Sequence, residues 1–321
     1  MPEKILITGG AGFVGHHLVE YVLWNTDWDI VVTDRFKAEA KERLKEVNAY
    51  NSPRVTFHHA ENPSAWGDAI TLIVELGGES SIPYSLEHPE SSVVTNITSV
   101  MQTLQRARNL PRLKKFLYFS TDEVFGPAVE KFGDWDRYNC QNPYAASKAA
   151  AEELCLAWAT SYGVPVVITH CQNLIGERQQ LEKFLPTVVH AGLRKKTVPL
   201  YVSPQTGKSP SRNYLHAKEA ASAVLFLLEH GAYREKYNIA TDHEISNHNL
   251  LIKVSEIMKV GIPWEVVNPL DVRPGFDPRY GLNGDKLRDM GWKPTKSFQQ
   301  NLTETVLWMM NGDNWHWVGM G

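Results

Sequence analysis

The run Ser120-Thr121-Asp122-Glu123, followed by Tyr144-Ala145-Ala146-Ser147-Lys148, gathers the side chains of this sequence best suited to chemistry. Tyr144 and Lys148 stand four residues apart, hence on one face of a helix. A phenol beside an ammonium can move the proton that accompanies hydride transfer, because a nearby cation favours phenolate and brings the phenol down from about 10. Two adjacent carboxyl groups add a second capacity, since one can take a proton while the other gives one to a departing group. The combination points to elimination of water rather than simple oxidation. One of the two must then be protonated at neutral pH, which burial and the other's carboxylate both encourage, the proton belonging to a coupled pair.

Taken alone, Ser120 to Glu123 also matches a capping box, with Ser120 capping the next turn and Glu123 reaching back. Neighbours along a strand point to opposite faces. Both carboxylates therefore reach one substrate only if the chain leaves its strand here, and a turn at Glu123-Val124 would allow it. The helix carrying Tyr144 starts at Asn142-Pro143 and continues in small residues (Ala145, Ala146, Ser147, Ala149, Ala150, Ala151) that permit close approach.

Thr8-Gly9-Gly10-Ala11-Gly12-Phe13-Val14-Gly15 follows the strand Ile5-Leu6-Ile7 and opens an apolar-periodic helix through Leu18, Val19, Val22 and Leu23. Gly9, Gly12 and Gly15 suit a tight turn, close backbone approach to a pyrophosphate and helix–sheet packing, with the helix N-terminus favouring the anion. Asp34 closes the second strand, where its carboxylate can accept both hydrogen bonds of an adenosine ribose diol and would repel a 2′-phosphate. The cofactor expected is NAD, with Arg35 beside that carboxylate.

The elements that must position these groups are short apolar runs alternating with helical stretches: Ile5-Leu6-Ile7, Ile30-Val31-Val32, Val55-Thr56-Phe57, Leu72-Ile73-Val74, Phe116 to Phe119 and Val166-Val167-Ile168. Such runs suit a parallel sheet covered on both faces. The fold expected is α/β, a Rossmann-type doubly wound parallel sheet, with a smaller, mostly helical C-terminal part. Residues 1–175 form the NAD-binding domain with the catalytic residues, and 176–321 the substrate-binding part, some segments returning to the first. Helices are expected over Ala217 to Leu228, His248 to Met258 and about Phe298 to Met310. Ligands of open α/β sheets bind outside the carboxyl ends of the strands.

Bulk properties narrow the function class. The 321 residues allow one large α/β unit or two modest domains. A formal net charge of -3 without a block of like charge leaves no footprint for nucleic acid or an anionic membrane. Cys140, Cys155 and Cys171 form neither a CxxC nor a His/Cys cluster, so no disulfide framework and no metal site are indicated. The first apolar run is too short for a signal peptide or membrane span. A soluble, cytoplasmic chain is expected. Trp308, Trp315 and Trp317 fall in the last stretch of sequence and read as a C-terminal helix packing down.

TGGAGFVG, STDEVFG and NPYAASKAAAE in the first half resemble the extended short-chain dehydrogenase/reductases, and among them the nucleotide-sugar 4,6-dehydratases. CQNLIGERQQLEKFLP, SRNYLH, YNIATDHEISN and RPGFDPRYGLNGDKLRDMGWKP extend the resemblance over nearly the whole chain. The resemblance implies an NAD-dependent lyase, a homodimer and a nucleoside-diphosphate sugar as substrate. Within it, the intact Thr121-Asp122-Glu123 triplet favours a dTDP- or UDP-hexose, dTDP-glucose before UDP-glucose. It implies a catalytic set of Thr121, Asp122, Glu123, Tyr144 and Lys148. The implied cofactor contacts are Gly9, Gly12, Phe13, Val14, Gly15, Asp34, Arg35, Leu76, Asn96 and Ser120, with Tyr144 and Lys148. For the substrate it implies Ser80, Thr121, Asn173, Glu182, Lys183, Arg212, Asn247, Arg273 and Tyr280; the two arginines suit a diphosphate, which guanidinium binds bidentately.

The chain departs from that pattern in places. Glu75-Leu76-Gly77-Gly78-Glu79-Ser80-Ser81-Ile82-Pro83 stands where the family usually has His-Leu-Ala-Ala-Glu-Ser-His-Val-Asp, Phe276 replaces a histidine and Leu174 an asparagine. Two other readings remain open. A 4-epimerase or decarboxylating relative needs the Tyr/Lys pair but gives Asp122 no role, and a non-catalytic NAD-binding module needs neither.

Overall fold

In the computed structural model, residues 2–62, 66–272 and 278–319 are described. The first half alternates as expected: β1 (Lys4–Thr8), α1 (Phe13–Asn25), β2 (Asp29–Asp34), α2 (Ala38–Glu46), β3 (Val55–His59), β4 (Leu72–Glu75), α3 (Ile82–Glu87), α4 (Pro89–Ala107), β5 (Lys115–Thr121), α5 (Pro143–Tyr162), β6 (Val166–Cys171) and β7 (Asn173–Ile175). There follow α6 (Phe184–Arg194), β8 (Val198–Tyr201), β9 (Ser211–His216), α7 (Ala217–His230), β10 (Lys236–Ile239), β11 (Glu244–Ser246), α8 (Asn247–Met258), β12 (Trp264–Val267), α9 (Pro269–Val272), α10 (Asp285–Asp289) and α11 (Phe298–Met310). The three late helices fall where periodicity put them.

Seven strands form the central sheet in the order β10-β6-β5-β4-β1-β2-β3, and every neighbouring pair is parallel. Alternation along β1 sends Ile5 and Ile7 to one hydrophobic cluster, with Leu18, Val22 and Val224 of α1 and α7. Leu6 goes to the other, with Val100 and Leu104 of α4 and Ala151 and Cys155 of α5. A strand covered on both faces must be apolar at every position, which is why these runs read continuously. The strand order reverses between β1 and β4, and their carboxyl ends open the crevice where a dinucleotide binds in such sheets.

The second half also holds short strands that periodicity does not announce. β11-β9-β7 form one small sheet and β12-β8 another. A separate apolar cluster, including Leu185, Val188, Leu250, Leu302 and Val306, supports them. β10 joins the central sheet beside β6. At the C-terminus a 3-10 segment, Gly312–Val318, lays Trp317 against α2: its indole N–H donates to Glu46 Oε1 at 2.7 Å, and the Arg43 guanidinium lies 5.2 Å from its ring centre. No described helix is long and apolar enough to cross a membrane.

Candidate active site

β5 runs to Thr121 and the chain then coils into a 3-10 turn, Asp122–Phe125. The cap of that turn is Thr121, whose hydroxyl accepts the Glu123 N–H at 3.3 Å. This corrects the expectation that Ser120 does the capping. Ser120 still belongs to the strand, and its hydroxyl donates to Glu152 Oε1 at 2.5 Å. The turn achieves what a strand could not, burying Asp122 and Glu123 together against the start of α5.

α5 begins where the sequence indicates. Asn142 caps it by accepting the Ala145 N–H at 2.8 Å, and Pro143 fills the first helical position, where a missing N–H costs nothing. The same Asn142 donates from Nδ2 to Glu123 Oε2 at 3.1 Å. The side chain that starts the Tyr144/Lys148 helix thus also orients one carboxylate. Its sequence signal, Asn-Pro before a helix, announces only the cap.

Burial, reinforced by the Glu123 charge, pushes the Asp122 carboxyl up to about 7, against the pull of Arg212. Burial and then Glu123 also push the Tyr144 phenol up, with the Thr121 hydroxyl opposing. The depressed phenol is expected for Lys148 together with NAD⁺; the protein's own groups by themselves push it the other way. Lys148 donates to the Phe119 carbonyl at 2.7 Å and lies 4.2 Å from the Tyr118 ring centre. Burial brings its ammonium down to about 8, although Glu75 and Glu152 favour the charge.

At the other end, the Gly12 N–H closes the loop onto the Gly9 carbonyl at 2.9 Å, and α1 starts at Phe13. A Cβ on Gly15 would stand 2.3 Å from that same carbonyl, so only glycine lets the helix lie this close. Phe13 and Val14 are partly buried in the first turn, Phe13 edge-on to His17. Asp34 is fixed by the Ala11 N–H (3.2 Å) and the Phe36 N–H (3.0 Å). Beyond it lies a cavity of about 390 Å³ lined by Arg35, Phe36, Lys41, Tyr50, Phe57 and His59. The Leu76 N–H donates to Thr8 Oγ1 at 3.1 Å, tying β4 to the loop. Asn96 is buried and spends its amide on the Glu79 backbone (2.6 and 3.1 Å) and on Ser147 (2.8 Å). Its side chain, like that of Ser120, is engaged within the protein.

Among the residues expected to meet the substrate, Arg212 is buried, stacks 4.3 Å from the Tyr280 ring centre and acts on the charge of Asp122. β9 thus brings a guanidinium to the catalytic turn. Asn173 starts β7, and its buried Oδ1 has no hydrogen-bond partner among the described residues. Asn247 accepts the Tyr214 phenol at 3.1 Å. Ser80 and Glu182 are exposed, and Lys183 is the N-cap residue of α6. The expected Arg273 lies outside the described residues, as does Phe276.

The NAD dependent epimerase/dehydratase family matches residues 5–240. The chain belongs to that family. Over 97% of its length it is 31% identical to a dTDP-glucose 4,6-dehydratase of Escherichia coli, covering 94% of that protein. The dTDP-glucose 4,6-dehydratase of Streptomyces venezuelae, solved with NAD bound, is 28% identical and superposes with a TM-score of 0.88 over 97% of this chain and 98% of its own. The enzyme of that name from Bacillus anthracis, in complex with NAD, is 28% identical, with a TM-score of 0.85 over 98% of each chain. A UDP-glucose 4-epimerase of Thermus thermophilus shares the fold, at 24% identity, with a TM-score of 0.86 over 96% of this chain and 99% of its own.

NAD is the cofactor of this family, and the residues present fit it. The loop at Gly9 to Gly15 has no room for a side chain where the helix meets it. Among the described residues the Lys148 ammonium donates one hydrogen bond, to the Phe119 carbonyl, from its three protons.

Proposed function

We propose that this chain dehydrates a nucleoside-diphosphate hexose to the 4-keto-6-deoxy sugar, with dTDP-glucose as first substrate and UDP-glucose as second. The observation that carries the reading is the buried pair Asp122 and Glu123 beside Tyr144, with one member of the pair held up at about 7. That value keeps a usable fraction of acid at neutral pH, where an ordinary aspartate has none.

Gly9, Gly12 and Gly15 would receive the pyrophosphate, Asp34 the adenosine ribose, and Tyr144 and Lys148 the nicotinamide ribose. Bound there, NAD supplies an acceptor for the hydrogen on C4 that gives it back at C6, so the net redox change is zero. Tyr144 takes the C4 hydroxyl proton while Thr121 holds the same oxygen. The resulting C4 ketone acidifies C5–H, and Glu123 removes that proton as Asp122 protonates the departing C6 hydroxyl. Glu123 then returns its proton to C5. The proton taken from the C4 hydroxyl makes up the one Asp122 spent, so water and the keto sugar are the only products.

Arg212 and Arg273 are assigned to the diphosphate, with Tyr280 behind Arg212; Ser80, Asn173, Glu182, Lys183 and Asn247 are assigned to the sugar and base. Residues 1–175 are the NAD-binding unit in this scheme and 176–321 the nucleotide-sugar-binding part, with β10 returning to the sheet of the first. A homodimer through α4 and α5 is supported by Val94 and Met101, exposed on one face of α4 seven residues apart. The three free thiols fit a cytoplasmic setting.

The test is mass spectrometry of purified protein incubated with dTDP-glucose, UDP-glucose, CDP-glucose, GDP-mannose and UDP-N-acetylglucosamine. Loss of one water from the dTDP sugar ahead of the others is expected. All five unchanged in mass, with one epimerised, would refute the reading.

A further inference from the structure

Glu152 lies one turn beyond Lys148 and two beyond Tyr144 on α5, so the three side chains share the helix face turned to β5 and β6. It has no exposure to solvent. A carboxylate buried this completely must have its oxygens met by donors. Here four converge: Ser120 Oγ on Oε1 at 2.5 Å, and His170 Nε2 (3.0 Å), Lys236 Nζ (3.2 Å) and the Tyr138 phenol on Oε2. Burial by itself would raise this carboxyl, yet His170, Lys236 and Ser120 bring it down to about 2.

The second nitrogen of His170 is engaged as well. Nδ1 lies 3.0 Å from Asn238 Oδ1. The Asn238 amide cannot be turned over, because its Nδ2 donates to the carbonyls of Phe132 (2.9 Å) and Asn283 (3.0 Å). Both ring nitrogens of His170 are therefore engaged, Nε2 by the Glu152 carboxyl and Nδ1 by the Asn238 amide oxygen, and the ring is held in place from both sides.

This buried pair touches the Asp122–Phe125 turn at both ends. Ser120 immediately precedes Thr121, and Phe125, the last residue of the turn, packs edge-on against the His170 ring with centres 4.7 Å apart. Asp122 and Glu123 lie between these two anchorages. We propose that Glu152 and His170 are positioning residues that clamp the Asp122–Phe125 turn at its two ends and so set both carboxylates against Tyr144. The inference rests on the dehydratase reading for its kinetic consequence only, since the Ser120–Glu152 bond and the Phe125–His170 ring contact are properties of the resting protein.

The experiment uses the full chain with NAD bound. Glu152→Gln, Ser120→Ala and the double variant are compared by Tm, retained NAD, and kcat and KM for loss of water from dTDP-glucose. Each single variant is expected to lose about tenfold or more in kcat with KM changed less than about threefold, and the double variant to be no slower than Glu152→Gln. Ser120→Ala removes one hydroxyl and carries the kinetic test if Glu152→Gln fails to fold. Losses of kcat that multiply in the double variant overturn the proposal. If the wild type dehydrates none of the sugars the functional reading fails instead, and the clamp stands if the Tm losses of Ser120→Ala and Glu152→Gln are non-additive in the double variant and falls if they add.

Discussion

The Asn142 amide donates to Glu123 Oε2 at 3.1 Å while its oxygen accepts the Ala145 N–H at 2.8 Å. One side chain therefore joins the start of α5 to the carboxylate proposed as the base. If the two halves of the reaction use one geometry, this is where they are coupled.

Asn142→Ser keeps an acceptor for the helix cap but has no amide to reach Glu123. It is expected to leave Tm nearly unchanged while slowing water loss by about tenfold or more, the scale of a misaligned general base. Asn142→Ala should lose the cap as well, at about 1 kcal/mol. Thermal unfolding together with kcat for both variants checks this; equal Tm losses in the two would show that the amide has no separate role.

Asp122 carries a pH signature of definite sign. Its folded value of about 7 lies above the 3.8 of an exposed aspartate, so between these limits the folded protein holds a proton the unfolded chain has released. Stability contributed by the protonated form is complete below the lower limit and falls as pH rises toward the upper one, by at most about 4 kcal/mol. Asp122→Asn should remove that slope in denaturant titrations run across the window. It should also slow elimination strongly while sparing C4 oxidation, which is read from the ratio of 4-keto sugar with its C6 hydroxyl intact to 4-keto-6-deoxy product.

Gly15→Ala pushes a methyl group into the Gly9 carbonyl, a backbone atom that cannot swing away. Loss of co-purifying NAD is expected, with a weakening of added NAD binding by about a hundredfold or more, since the loop must open to relieve the contact. Calorimetric titration with NAD measures it, and unchanged affinity would contradict the cradle assigned to Gly9, Gly12 and Gly15.

Glu75 and Gly77 are predicted to be energetically coupled. The Gly77 N–H donates to Glu75 Oε1 at 3.1 Å, and a Cβ on Gly77 would stand 2.8 Å from that oxygen. Gly77→Ala should cost about 1–3 kcal/mol in the wild type and clearly less in Glu75→Ala, where the oxygen is gone. A denaturant-based double-mutant cycle decides it, additivity being the contrary result. The two departures from the family pattern would then be one change in packing, with a carboxylate at the end of β4 accommodated by a missing methyl group.

What the sequence made legible follows from physical rules that act locally. β1, β2, β4, β5 and β6 are covered on both faces and so read as unbroken apolar runs, and Tyr144 and Lys148 announce themselves by a four-residue spacing. β7 and β11, three residues each, are too short for any period to show. Ser120 and Thr121 are both hydroxyl residues able to cap, and the choice between them turned on where β5 ends, which its pairing with β6 decides as far as Thr121 and Cys171. The second bond of Asn142 and the convergence on Glu152 join residues far apart in the chain. No window of sequence contains them.

β10 sits at the edge of the central sheet beside β6, yet some sixty residues and β7, β8 and β9 intervene between the two. The polypeptide between β6 and β10 is therefore an excursion out of the central sheet that returns to close it. Cutting the chain after β6 would leave Val166, Val167 and Ile168 on an unprotected edge, a template for pairing with another molecule. A length change within the excursion is therefore expected to be tolerated only if the returning strand keeps its place beside β6.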